Sequence, residues 1–178
     1  MKNKINVIDL DKTLIPYDSF RLLIVKELKG FDLYVCGFTL LRVIRLISVK
    51  KFKFHLTKYF CRKYDEYYFR DFASRLYLDI DQKVMEIIMN ETDDKTVNVL
   101  LSASPDLFVK HLIDKLGWKG SGSYIENNTF YHLYGSGKLN WLLKYKKENI
   151  IFNFAISDSE TDDQLMALFN KRIKWTLH

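Results

Sequence analysis

The first apolar run of this chain contains a carboxylate. Ile5-Asn-Val-Ile-Asp9-Leu10 has the pattern of a strand buried on both faces, and it continues into Asp11-Lys-Thr13. An unpaired carboxylate is expensive in such a place, so the fold must supply Asp9 with a partner, and a bound cation is the obvious one. The rest of the chain suits a parallel sheet. Thr96–Leu101 and Ile150–Ile156 read as further strands, with Ile173–Thr176 a short last one. Between them lie helical patterns at Gln82–Glu91, Leu107–Leu116 (stopping at Gly117), Lys138–Lys147 and Asp162–Asn170. Ser104-Pro105 reads as a helix start, with Ser as N-cap and Pro in the first helical position. Ser121–Tyr134, rich in Gly, Asn and Thr with Tyr and Phe, reads as a hairpin. This alternation implies an α/β protein built on a doubly wound, mostly parallel sheet with helices on both faces.

The texture changes between the first strand and the others. From Asp18 to about Leu78 the chain is rich in Leu, Phe, Tyr, Lys and Arg at helical spacing, without proline. One helix is expected around Leu22–Lys26, ending near Gly30. Another carries Leu40, Leu41, Ile44 and Ile47, and Tyr67–Tyr77 forms a third or fourth. The domain reading is therefore a core of residues 1–16 and 82–178, with a helical cap inserted at 17–81.

A chain of 178 residues buries a sizeable core without covalent staples. Cys36 and Cys61 form neither a CxxC pair nor a metal spacing, so a reducing, cytoplasmic setting is expected. No secretory apolar stretch precedes Ile5. Phe31–Val49 is largely apolar but includes Asp32, Arg42 and Arg45, which argues against a spanning helix. A surface-lying amphipathic helix, continued by Lys50, Lys51 and Lys53, fits better. The net charge of +6 is compatible with nucleic acid, yet no recognition motif accompanies it, so no nucleic-acid partner is expected.

Three polar clusters fall where a doubly wound sheet places its ligand, beyond the C-terminal ends of strands. They are Asp9/Asp11/Thr13, Ser102, and Asp158/Asp162/Asp163. Asp9 and Asp11, two residues apart, point to the same side of an extended chain. Two like charges held close raise one pKa, so one carboxyl serves as an acid while the other stays ionised. Hard oxygen donors without His or Cys favour Mg²⁺, completed by water and phosphate. Structural roles compete with this reading: Asp11 and Thr13 as turn residues, Asp162 and Asp163 as acids of a first helical turn, Ser102 as a local hydrogen-bonding group. Lys138 follows Gly135-Ser-Gly137 at a helix start, where a cation opposes the dipole unless it faces carboxylates or a phosphate.

Together these residues resemble the haloacid dehalogenase (HAD) superfamily. Val7-Ile-Asp9-Leu-Asp11-Lys-Thr13 is similar to its first motif, hhhDxDxT, and Leu100-Leu-Ser102 to its second, a strand ending in Ser or Thr. Gly137-Lys138 is similar to the third, and Asp158-Ser-Glu-Thr-Asp162 to the fourth, DxxxD. An insert between the first two motifs resembles the phosphoserine-phosphatase-like subgroup with its helical cap. The resemblance implies that Asp9 is the nucleophile forming an aspartyl phosphate, and Asp11 the general acid and base. It implies that Ser102 and Lys138 bind the phosphoryl group, and that Asp158 holds Mg²⁺ with Asp9 and the Asp11 carbonyl. Asp162 then acts in support of the metal, with Asp163 the alternative. Two departures stand out: Ser157, where the family often has Gly, and Lys12, where small residues are common.

The expected activity is Mg²⁺-dependent hydrolysis of a small phosphate monoester, with the cap deciding the substrate. Asp18, just after the first motif, either contacts that substrate or starts a helix, and Thr13 is counted with it. The alternatives are phosphoryl transfer to another acceptor, and a membrane-surface module acting on a lipid-linked phosphate. In the latter, the basic, aromatic cap touches anionic lipid. The oligomeric state is not legible.

Overall fold

The computed structural model describes residues 3–144 and 150–176. Six strands, β1 (Asn3–Ile8), β2 (Thr96–Pro105), β3 (Lys119–Glu126), β4 (Thr129–Tyr131), β5 (Ile150–Ser157) and β6 (Lys171–Lys174), form one sheet in the order β4-β3-β2-β1-β5-β6. β1 pairs in parallel with both β2 and β5, β3 and β6 extend the sheet in parallel, and only β4 is antiparallel. The chain winds from β1 first to one edge and then to the other. The topological switch therefore lies at the C-terminal ends of β1, β2 and β5, where a crevice opens.

Side chains alternate between the two faces as the pleat requires. Ile8, Leu100, Phe154 and Ile156 point to one face; Val7, Val99, Leu101 and Ala155 point to the other. The second face is closed by α7 (Ser136–Lys144) and α8 (Asp163–Met166) through Leu142, Leu165 and Met166. The first is closed by α5 (Gln82–Asn90) and α6 (Asp106–Leu116), and by the helices inserted after β1.

The insert forms four helices: α1 (Ser19–Lys29), α2 (Leu33–Val43), α3 (Val49–Lys63) and α4 (Glu66–Leu78). Asp18, Asp32, Ser48 and Asp65 cap them in turn, each accepting a bond from the backbone N–H three residues on. Asp81 caps α5 in the same way. The expected helix through Ile47 stops earlier: Arg45 turns left-handed (φ 61°) and Ser48 starts α3. The insert shares its core with the sheet. Phe20, Leu56, Phe60, Phe72 and Leu76 belong to the same cluster as Ile8, Leu100 and Phe154, and the Phe72 ring meets Phe108 of α6 edge-on at 5.0 Å.

Several sequence-based boundaries are corrected. β2 runs on to Pro105, and α6 starts at Asp106 without a side-chain cap. Ser104 is not an N-cap, because its hydroxyl is committed to Asp11. The helix expected at Asp162–Asn170 is a 3₁₀ turn, Glu160–Asp162, followed by the short α8; the chain then leaves to bond Asn170 N–H to the Phe152 carbonyl. The last strand accordingly begins at Lys171 rather than Ile173. The hairpin turns at Asn127-Asn128, both left-handed, and its first strand starts at Lys119. Of the helix expected at Lys138–Lys147, residues 145–147 lie outside the described ones.

Candidate active site

A cavity of about 190 Å³ opens at the switch point. Asp9, Asp11, Asp18, Lys138, Asp158 and Asp162 all line it, joined by Lys12, Lys53, Ala103 and Tyr134. β1 delivers Asp9 and Asp11, β5 delivers Asp158, and the start of α7 delivers Lys138. Gly137 lets that helix start so close: a Cβ there would lie 2.1 Å from the His132 carbonyl oxygen.

Lys138 is the electrostatic centre of the site. It is 4% exposed, and its Nζ donates to Asp9 Oδ1 at 2.6 Å and to Asp162 Oδ2 at 2.7 Å. Burial penalises its charge, but the two carboxylates outweigh that and hold the ammonium firmly protonated. Burial pushes the Asp9 carboxyl above the ordinary carboxylate range; Lys138 pulls it back, and Asp162 adds to the rise. Ser157, in the place where the resembled family often has Gly, donates to Asp162 Oδ2 at 2.7 Å and accepts from Ser159 N–H. The departure in sequence thus gives Asp162 a second donor. Asp163 is turned away and pairs with Lys174 at the surface, so of the two acids it is Asp162 that lines the cavity.

Asp11 is held differently. Its Oδ1 accepts from the Ser19 backbone N–H at 2.7 Å and the Ser19 hydroxyl at 2.6 Å, and its Oδ2 accepts from the Ser104 hydroxyl at 2.6 Å. Burial and the nearby Asp18 raise its pKa, and these serine bonds restrain the rise. Sequence reasoning missed Ser104 as an orienting group. The available signal was its position two residues after Ser102 on one strand, which puts both side chains on one side.

Three expected residues sit at the edge of the constellation. Ser102 is fully buried; its hydroxyl accepts from Ser104 N–H and approaches Asp11 Oδ2 only to 3.5 Å. Thr13 is buried and accepts from Asp158 N–H at 2.9 Å, so it fixes the loop carrying Asp158. Asp18 both caps α1 and faces the cavity. Lys53, one basic residue among many in the sequence, reaches across from α3 to donate to the Ala103 carbonyl at 2.9 Å. Burial lowers its pKa, while Asp18 and Asp11 oppose that.

Among the described residues no three His, Cys, Asp or Glu side chains form a ready cation cage. Mg²⁺ needs fewer, since one or two carboxylates with water and phosphate suffice. Asp9 offers an oxygen, Oδ2, that accepts no hydrogen bond among the described residues, and the Asp158 carboxylate is similarly free in the same cavity. An unengaged Asp158 carboxylate sharing the cavity with the Asp9 carboxylate fits a divalent cation.

A central parallel strand ending in two acids, with a lysine and a third acid brought in from flanking elements, defines a Rossmann-like fold with its polar constellation at the switch point. Comparison with solved structures sharpens this. A protein of unknown function from Bordetella pertussis Tohama I superposes with a TM-score of 0.74 at 11% identity, over 97% of this chain and 89% of that one. A HAD family hydrolase from Salmonella enterica serovar Typhi gives 0.57 at 13% identity over 97% and 68%. A phosphoserine phosphatase in its apo form gives 0.52 at 15% over 98% and 94%. No protein-family model matches the chain. No curated protein matches it either. The chain shares with these structures a fold built on a mostly parallel α/β sheet.

Proposed function

We propose that this protein is a Mg²⁺-dependent phosphatase that hydrolyses a small phosphate monoester through an aspartyl phosphate on Asp9. The observation that supports this most is the unequal treatment of the two acids on one strand end. Asp9 is paired with a permanently charged lysine and keeps one oxygen unengaged, as a nucleophile requires. Asp11 is raised by burial and by Asp18 and is oriented by serines, as suits a group that carries a proton.

In the first step Asp9 Oδ2 attacks phosphorus and the bond to the ester oxygen breaks; protonated Asp11 gives its proton to that oxygen, releasing an alcohol. In the second, Asp11, now a carboxylate, takes a proton from water as the water attacks phosphorus. Inorganic phosphate leaves and Asp9 is regenerated. Lys138 neutralises charge on the transferring group, and Asp162 with Ser157 keeps Lys138 in place. Asp158, the Asp11 carbonyl and Asp9 through Oδ1 would hold Mg²⁺, leaving Oδ2 to attack; the ion would screen the phosphate charge from that oxygen. Lys53 overhangs the cavity from the insert and favours a substrate with a further anionic group.

The experiment is hydrolysis of para-nitrophenyl phosphate with and without Mg²⁺, comparing the wild type with Asp9→Asn. Mg²⁺-dependent turnover that vanishes in the variant is expected. A phosphoryl adduct on the Asp9 peptide is expected after acid quenching. Turnover that survives Asp9→Asn overturns the mechanism.

A further inference from the structure

The positive charge of this chain is concentrated in one segment. Residues 33–63 contain eight Lys and Arg and no Asp or Glu; the remaining residues hold 20 basic side chains (28 less eight) against all 22 acids. That segment is α2, α3 and the link between them.

The same segment exposes apolar surface. α2 buries only Val35 fully. Leu33, Gly37, Leu40 and Ile44 recur at helical spacing along its outer face, and all are exposed, Leu33 by 86% and Leu40 by 60%. Val43 and Leu46, each 70% exposed, extend the stripe into the link. No charged side chain interrupts this stripe along the helix. Contiguous apolar surface of this kind marks an interaction site.

The charges border it. Arg42, Arg45, Lys50 and Lys51 lie at the end of α2, in the link and in the first turn of α3, and form no ion pair among the described residues. By contrast, Lys63 of the same helix pairs with Glu27 and Asp32. At 11 residues α2 is about 16 Å long, and no described helix is long and apolar enough to cross a membrane. A short helix with an uninterrupted apolar face and a basic border has the composition of an element that lies in a bilayer interface.

We infer that the outer face of α2 and the α2–α3 link dock on an anionic lipid surface. A second copy of the chain is the poorer occupant, because it would set one acid-free basic segment against another. The next turn of α3 carries Lys53, which reaches the cavity. Docking therefore brings the candidate active site to the membrane surface. The inference rests on the surface alone and stands whether or not the phosphatase reading does.

The test uses the full chain, without substrate, in flotation assays with phosphatidylcholine vesicles and with vesicles containing phosphatidylglycerol. Binding is expected only to the latter and weakens as salt rises. Arg45→Gln with Lys51→Gln lowers partitioning roughly thirtyfold, since each basic side chain near such a surface contributes a factor of about five. Leu40→Asp with Leu46→Asp abolishes binding while circular dichroism and the melting temperature stay unchanged, because both side chains are exposed. Equal indifference to both vesicles overturns the inference, as does binding that survives Leu40→Asp with Leu46→Asp. Concentration-dependent dimerisation that this double variant removes, without vesicle binding, also overturns it and assigns the face to contacts between copies.

Discussion

Replacing Lys138 with Met tests the electrostatic account at its centre. The Met side chain occupies nearly the same volume, so packing is conserved and the charge is what changes. In the wild type the ammonium satisfies Asp9 and Asp162, which are 7% and 2% exposed, and Asp162 Oδ1 already lacks a hydrogen-bond partner. Lys138→Met leaves two buried carboxylates facing each other without a cation. Breaking a buried pair in this way costs about 3–5 kcal/mol, a large part of the 5–15 kcal/mol that typically holds a domain together. The cost depends on pH with a definite sign. Burial raises the folded-state pKa of Asp9 above its unfolded value, and removing Lys138 raises it further. A carboxyl of this kind favours the folded state fully below its unfolded pKa, and that stabilisation is lost as pH rises through the folded one. The variant is therefore closest to wild type near pH 4.5 and furthest from it near pH 8. Urea unfolding followed by tryptophan fluorescence, in chelator, at both pH values measures this. Adding Asp162→Asn to Lys138→Met recovers about 1–2 kcal/mol at pH 8, because one buried charge goes with the other. A loss below about 1 kcal/mol at pH 8, or an equal loss at both pH values, refutes the reasoning.

Three further outcomes follow from the structure. On the proposed mechanism, Ser104→Ala removes a donor that holds down the pKa of Asp11, so the Asp11-dependent limb of the kcat/KM profile moves to higher pH. An unmoved limb assigns Ser104 to folding alone. Gly137→Ala drives a Cβ into the His132 carbonyl and displaces the start of α7, costing roughly 2 kcal/mol and most of the turnover. Gly37→Ala, with open space around its Cβ, leaves stability equal or up to about 1 kcal/mol higher; thermal melts of the pair separate backbone crowding from helix propensity.

Much of the site was legible in the sequence because buried strands tolerate so little. A carboxylate inside Ile5–Leu10 demanded a partner, and strand–helix alternation placed Asp9, Asp11 and Asp158 at one edge of a sheet. Lys138 was legible as a cation at an unfavourable helix end, and it does face carboxylates. What stayed hidden depended on contacts between distant segments. Ser104 looked like a helix cap because Ser-Pro commonly is one, and only the approach of Asp11 commits its hydroxyl elsewhere. Asp162 and Asp163 are indistinguishable as neighbouring acids until a 3₁₀ turn sends one inward to Lys138 and the other out to Lys174. Lys53 could not be told from its basic neighbours without knowing which face of α3 overlooks the cavity. The break at Arg45 left no proline or glycine to announce it.

The shared core beneath the insert restricts how the cavity can be entered. Phe72 against Phe108, and Phe20 with Phe60 above Ile8, fuse α1, α3 and α4 to the sheet. Swinging the insert open as a rigid lid would expose these rings to water, each at a cost of about 1.5–3 kcal/mol. The cavity itself is lined from the insert side by Lys53 and by Asp18 at the start of α1, both held within this fused unit. A ligand therefore reaches the switch point past the side chains that line it rather than beneath a swinging insert.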